Sequence, residues 1–340
     1  MKVLITGGAG FIGCNLAHHL IDKGNDVIIY DNLSRCGSQA NLQWLSDKFG
    51  NKFIFIHGDV RDAVKLLETA KDVNAIYHLA AQVAVTTSVK DPREDFEINA
   101  LGTFNALEAA RLSNSSPIFF YASTNKIYGG MEETKVGETE TRYIFPDLTL
   151  GVPETYPLDF HSPYGCSKGA GDQYTRDYYR IYGVRTIVFR QSCIYGWRQF
   201  GVEDQGWLAH FAISAVKGRD VTIYGDGKQV RDILFIDDLI RAIELAVENI
   251  EVTAGQIYNI GGGPNNTLSV WAEAGPMLEA LNGKPIPVRW EDWRPGDQRI
   301  YISDIRKAER DFGWTPQISP ENGLKKIWDW IKVTNIDLFP

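Results

Sequence analysis

The chain opens with a short apolar run, Lys2 to Thr6, then a glycine-rich stretch, then an amphipathic segment from Phe11 to Lys23. Gly24 follows, and a glycine there is a common helix stop, so the pattern predicts strand, tight turn and helix. Asp26 to Asp31 reads as the second strand. The theme recurs at Phe53 to His57, Ala75 to Leu79, Pro117 to Ala122 and Arg185 to Arg190. Each run is rich in Val, Ile, Phe or Tyr and almost unbroken by polar residues. Such runs suit strands buried on both faces of a parallel sheet. Helical periodicity fills the gaps, at Gln39 to Lys48, Asp62 to Lys71, Glu94 to Leu112 and Pro163 to Tyr182. Strand–helix alternation implies right-handed crossovers and an α/β fold with a doubly wound parallel sheet.

After Tyr195 the alternation loosens. Trp197 to Gly206 reads as a loop, followed by a helix to about Lys217. Val221 to Tyr224 is a short strand, Ile236 to Glu248 a helix, and Gln256 to Ile260 another buried strand. Beyond Leu268, helical segments mix with Pro- and Trp-rich connections. Six of the nine tryptophans lie between Trp271 and Trp330, which suggests a small aromatic core. The expected division is a nucleotide-binding domain of residues 1–192 and 232–262. A smaller, largely C-terminal substrate-binding domain takes 193–231 and 263–340.

Composition narrows the class. The chain has 340 residues, 44% of them hydrophobic, and a formal charge of −8. The length allows a large core, and the acidic balance argues against general nucleic-acid binding. Cys14, Cys36, Cys166 and Cys193 show neither paired nor metal-ligand spacing, so free thiols and no metal are expected. No run is long and apolar enough to span a membrane, and a strand from Lys2 leaves no room for a leader. The expectation is a soluble cytoplasmic protein.

Candidate chemistry follows the strand ends. Gly7, Gly10 and Gly13 lie between the first strand and first helix. A loop without side chains lets the backbone approach a pyrophosphate, and the helix N-terminus favours its charge. Asp31 ends the second strand, eighteen positions after Gly13. A carboxylate there can hold ribose hydroxyls and repel a 2′-phosphate, which favours NAD; Arg35 nearby pulls the other way. Asp59, at the end of the third strand, can meet an adenine amino group or cap a turn. Ala80, Ala81 and Gln82 follow the fourth strand and leave room for a cofactor. Ser123 and Thr124 end the fifth. Tyr164 and Lys168 are four residues apart, on one face of a helix. An ammonium near a phenol favours the phenolate, which can take a proton from a sugar hydroxyl. Tyr224 and Lys228 have the same spacing, but Gly225 and Gly227 mark a turn there. Asn99 and His161 read as structural, and Lys126 as a solvated or ligand-contacting lysine.

Together these motifs resemble the extended short-chain dehydrogenases/reductases, in the NAD-dependent epimerase/dehydratase group of nucleotide-sugar enzymes with a Rossmann domain. Arg231-Asp232 after Gly-Asp-Gly, and Asp304 to Pro316, extend the match along almost the whole chain. Asn125-Lys126 stand where the group's dehydratases carry Asp-Glu, so elimination of water is not expected. Other strings resemble the subgroup that epimerises CDP-hexoses at C2, of the CDP-paratose to CDP-tyvelose type. They include Asp31 to Arg35, Ser123 to Lys126, Leu158 to Lys168, Arg198 to Phe200, Asp204 to Trp207 and Asp297 to Arg299. Cys193 departs from the family, where asparagine is usual.

The resemblance implies NAD held by Gly7, Gly10, Phe11, Ile12, Gly13, Asp31, Asn32, Ser34, Arg35, Asp59, Val60, Leu79, Ala80, Ala81, Gln82, Tyr164 and Lys168. It implies a CDP-sugar held by Thr124, Asn125, Gln205, Tyr224, Arg231 and Arg299. Arg231 and Arg299 suit the diphosphate because a guanidinium fork matches its oxygens. Tyr164, Lys168 and Thr124 are then catalytic, in a transient oxidation to a 2-keto sugar followed by hydride return. A UDP-sugar 4-epimerase is the nearest alternative, and a non-catalytic NAD-binding scaffold or sensor the alternative of another class. A homodimer or tetramer paired through Glu94 to Leu112 and Pro163 to Tyr182 is also implied.

Overall fold

The computed structural model describes residues 1–294 and 297–340. Strands β1 (Lys2–Thr6), β2 (Asp26–Asp31), β3 (Phe53–His57), β4 (Ala75–His78) and β5 (Ile118–Thr124) alternate with helices. With Thr186–Gln191 and Gln256–Ile260 they build one seven-stranded sheet, ordered Gln256–Ile260, Thr186–Gln191, β5, β4, β1, β2, β3. β1 pairs in parallel with β2 and β4, β2 with β3, and β4 with β5. The winding direction reverses between β1 and β4. At such a switch point the carboxyl ends of the strands leave a crevice for a ligand. The expected doubly wound α/β sheet is therefore the observed one.

Contacts within the chain divide it into two compact units. The first is Met1–Ile127, Ser162–Arg190 and Ile240–Tyr258. Its core joins Leu4, Ile28 and Ile76 of the strands to Leu66, Ala106 and Leu107 of the helices. In β1, β2, β4 and β5 the apolar residues on both faces are almost all buried, which is why these runs lack polar alternation, whereas Ile54 of the edge strand β3 is exposed. The second unit is Tyr128–His161, Gln191–Leu239 and Asn259–Pro340. It therefore includes 128–161, which the sequence reading kept with the nucleotide-binding part. Tyr128, Tyr143, Val152, Val230, Ile300 and Tyr301 form one of its cores. Trp314, Trp328 and Trp330 are buried in this unit, whereas Trp290 and Trp293 are exposed.

Several elements differ from their expected form. The segment Glu94 to Leu112 is not a uniform helix. It runs as Pro92–Phe96, a π-helical turn Glu97–Leu101, then Gly102–Leu112. A short helix, Val85–Lys90, was hidden by its β-branched residues. In the second unit, Val230–Phe235 is a strand beside Thr267–Ser269, Ile300–Tyr301 and Cys193–Tyr195. Its apolar run is interrupted by Arg231 and Asp232, both buried, and the charges masked it. Asp232 is satisfied locally, accepting from Ser192 Oγ and from the amides of Ser303 at 3.1 Å and Gly263 at 3.3 Å. Among the described residues, no helix is long and apolar enough to cross a membrane.

Candidate active site

The turn after β1 is built for close approach. Gly7 has φ of +69°, and a Cβ there would sit 2.7 Å from the amide nitrogen of Ala80. At Gly13 a Cβ would meet the carbonyl oxygen of Gly7 at 2.2 Å. The helix Phe11–Asp22 then begins with Gly10 as its N-cap, with no side chain bonded to the cap and no acidic residue in the first turn. Its leading amides thus face outward without a built-in anion, which fits the diphosphate of a dinucleotide. Phe11, Ile12, Leu79, Ala80 and Ala81 are half-buried around this turn.

Asp31 is buried at the end of β2. One oxygen accepts from the amide of Ala9 at 3.0 Å and the other from that of Leu33 at 2.7 Å. Burial raises its carboxyl, while the amides of Leu33, Ala9 and Gly10 oppose the rise. The carboxylate thus ties the glycine turn to β2, and this is compatible with holding ribose hydroxyls from the same edge. Asn32 spans to Asp59 at 2.9 Å and receives the amide of Ser34 at 3.1 Å. Of the two readings of Asp59, the turn aspartate is the one the local bonds display, since its Oδ1 accepts the Arg61 amide at 2.9 Å. Arg61 grips it through Nε at 2.9 Å and Nη2 at 2.8 Å, and the hydrogen bonds hold its carboxyl down at about 2. With the Arg61 amide and Asn32 added, every acceptor direction of that carboxylate has a protein donor. Val60 is buried behind it. Ser34 and Arg35 lie exposed in the following loop.

The chemistry side is assembled by β5 and the helix Ser162–Tyr182. Thr124, Tyr164 and Lys168 are all buried. Thr124 stands next to the Tyr164 phenol and favours its ionised form. It also donates to Asn125 Oδ1 at 3.4 Å and accepts the Lys126 amide at 3.3 Å. The expected lowering of the tyrosine by its lysine neighbour is not what the geometry delivers. Burial pushes Tyr164 up to about 12, and the influences pulling it down are the neighbouring Thr124 and the Arg35 charge. Lys168 instead turns to the Ala122 carbonyl at 2.6 Å and lies 4.3 Å from the centre of the Tyr121 ring. Desolvation lowers Lys168 to about 7, against the opposing charges of Asp172 and Asp95. At helical spacing the two side chains share a face, but the carbonyl captures the ammonium.

A buried polar cluster supports this helix from β4. Asp95 accepts from Gln82 at 2.9 Å, from Asn99 at 3.1 Å and from Ser167. Asn99 also donates to the Gln82 carbonyl at 3.0 Å and receives the Gln82 amide at 2.9 Å. Gln82 is therefore committed to protein partners, and Asn99 fixes the π-helical turn as the sequence suggested. Asp95 and Ser167 were not singled out from sequence. Their only signal is buried polarity, which appears after folding.

Of the expected sugar-nucleotide residues in the second unit, Arg231 is buried, Gln205 and Tyr224 are half-buried and Arg299 is exposed. Arg231 is paired with Asp297 at 2.7 Å. Arg299 lies over the rings of Tyr143 at 5.4 Å and Trp293 at 5.8 Å. Tyr224 ends a strand, so the Tyr224/Lys228 spacing is not helical, and its hydroxyl meets Glu203. Arg294, not anticipated from sequence, stacks on Tyr224 at 3.8 Å. Gln205 closes a small bridge with Val202 at 3.0 Å. Among the described residues, no cluster could hold a metal ion.

Known proteins match this arrangement. The family described as GDP-mannose 4,6 dehydratase matches residues 4–327. The chain is 47% identical to a CDP-paratose 2-epimerase of Salmonella typhi, over 97% of this chain and 99% of that protein. It is 35% identical to a putative UDP-glucose 4-epimerase of Methanocaldococcus jannaschii, over 98% and 99%. A solved UDP-glucuronic acid 4-epimerase of Bacillus cereus, in complex with UDP-glucuronic acid and NAD, superposes with a TM-score of 0.84 at 29% identity, covering 98% and 99%.

Proposed function

The chain belongs to the NAD-dependent epimerase/dehydratase family that the GDP-mannose 4,6 dehydratase model describes, and on that premise we propose that it inverts C2 of a CDP-hexose. The observation that carries the chemistry is the placing of buried Thr124, at the end of β5, against the Tyr164 phenol, with Lys168 one turn along the same helix. The Salmonella typhi relative carries the choice of C2 and CDP.

The glycine turn and the first helix would hold the diphosphate of NAD, and Asp31 the adenosine ribose. When bound, NAD would supply the hydride-accepting and hydride-donating chemistry. Tyr164 takes the proton from the C2 hydroxyl and gives it back after the keto sugar has presented its other face. Thr124 orients that oxygen, and Asn125 supports Thr124. Lys168 offers a positive charge at the base of the site. Arg231 and Arg299 anchor the diphosphate of the substrate, with Tyr224 and Gln205 alongside. In this reading, the unit of 1–127, 162–190 and 240–258 serves the cofactor, and that of 128–161, 191–239 and 259–340 serves the sugar nucleotide.

The enzyme works in the cytoplasm as a homodimer or tetramer. Phe104 and Tyr174 pack edge to face at 6.1 Å on the paired helices yet remain exposed, and Leu112 and Ile181 extend that apolar face. Purified protein, given CDP-paratose or UDP-glucose without added NAD, tests the reading by product analysis. CDP-tyvelose is the expected product. Inversion at C4 of the UDP-sugar alone would assign it to the 4-epimerases, and binding of NAD without turnover of either would make it a sensor.

A further inference from the structure

We propose that Asp172 is a positioning residue for this reaction, fixing Thr124 through Ser123 and supplying the counter-charge beneath Lys168. Asp172 lies four residues after Lys168 on the helix Ser162–Tyr182, so the two share a face. It is wholly buried. Its carboxylate accepts from Ser123 Oγ at 2.8 Å, from Arg190 Nε and Nη2 at 3.0 Å each, and from Gln173 at 2.8 Å. Three elements thus converge on one group: the end of β5, the strand Thr186–Gln191, and the helix that carries Tyr164. A two-pronged guanidinium contact leaves the carboxylate little rotational freedom. Ser123 precedes Thr124 directly, so the bond that pins Ser123 pins the backbone carrying the Tyr164 contact.

The charges explain why the group is ionic. Burying a salt bridge costs desolvation, and a hydrophobic pair of similar volume could fill the same space. Here the buried layer holds two cations, Lys168 and Arg190, and two anions, Asp172 and Asp95. Arg190 alone would need one carboxylate; the second cation makes both necessary. The groups facing Lys168 are Asp95 from the helix Pro92–Phe96, His78 of β4, Tyr121 of β5, and Tyr164 and Asp172 from its own helix. Arg190 stands behind Asp172. Removing Asp172 or Arg190 therefore moves the field at Lys168 in opposite directions.

The inference rests on Lys168 and Thr124 serving the reaction proposed above. Its main readout is independent of the substrate: NMR titration of lysine labelled with carbon-13, with Lys168 assigned through Lys168→Met. Asp172→Asn should lower the Lys168 midpoint by roughly one pH unit, and Arg190→Gln should raise it. Ser123→Ala should leave the midpoint in place and lower kcat several-fold at unchanged KM. Unmoved midpoints, or shifts of the same sign, overturn the counter-charge. A wild-type kcat in Ser123→Ala overturns the positioning of Thr124. If Asp172→Asn does not fold, Arg190→Gln and Ser123→Ala decide the two halves alone. Opposite shifts in a protein that turns over no CDP-sugar would uphold the electrostatics and remove only the assigned substrate.

Discussion

Tyr164 illustrates how burial and charge compete at one phenol. Spacing alone favours a lowered pKa, yet desolvation pushes it up to about 12. The reactive form is the phenolate, so the basic side of the titration is the active one. With NAD and CDP-paratose present, kcat/KM should therefore climb as pH rises from 7 toward 10. In Lys168→Met, which removes the lysine's titration, a rate that falls across that range would exclude Tyr164 as the base. Tyr164→Phe should retain NAD and lose about 10²–10⁴-fold in kcat, measured beside a cofactor-binding titration. Lys168 titrates near 7, so its charge changes in the same interval. Separating the two limbs requires Lys168→Met, which should keep the alkaline rise while lowering the rate.

The turn after β1 and the paired helices show how far an element can be read before folding. Gly7, Gly10 and Gly13 were legible because backbone approach excludes side chains wherever the turn occurs. Gly13→Ala should weaken NAD binding at least tenfold by isothermal titration, since its methyl would collide with the Gly7 carbonyl. Wild-type affinity would mean that the turn relaxes. The strands of the large sheet were legible for a similar reason, as each is a local apolar run. The cluster of Asp95, Gln82, Asn99 and Ser167 was not. Apart from the Asn99–Asp95 bond at one helical turn, its bonds join residues 13 to 72 positions apart, and no periodicity records them. Val230–Phe235 escaped because the partners of its two charges are distant in the chain: Asp297 pairs with Arg231, and Ser192 donates to Asp232. On the outer face of the helix pair, where the proposed dimer would form, Phe104→Asp should give a monomer and the wild type a larger species by light scattering. An unchanged mass would place the interface elsewhere.

Acid stability is a property of the folded chain as a unit. His78 is buried between Thr6 of β1 at 2.8 Å and Thr103 at 3.1 Å, with the rings of Phe119 and Tyr121 stacked beside it. Desolvation, aided by Lys168, lowers it to about 3. The unfolded chain then takes the proton first, near pH 6.5. Stability is lost as pH falls below that value and the loss continues until about 3, at up to about 1.4 kcal/mol per pH unit. Asp31, Asp95 and Asp232 act in the opposite sense, because burial raises them and protonation relieves the cost. His78→Asn isolates the histidine. Its denaturant midpoint should fall less steeply between pH 6.5 and 4 than that of the wild type, and an equal slope would refute the assignment.

The amino-acid sequence by itself determined the doubly wound sheet, the glycine turn, Asp31 and the Thr124, Tyr164, Lys168 set. Each depends on local periodicity or on the chemistry of a short motif. Only the tertiary structure decided what those groups experience. It committed Asp59 to Arg61, turned Lys168 toward Ala122, and tied Asp172 to Ser123 and Arg190. The reason is physical: desolvation and hydrogen-bond partners depend on which distant residues fill the space around a group. A linear pattern specifies the group and the face it occupies, but not that surrounding space.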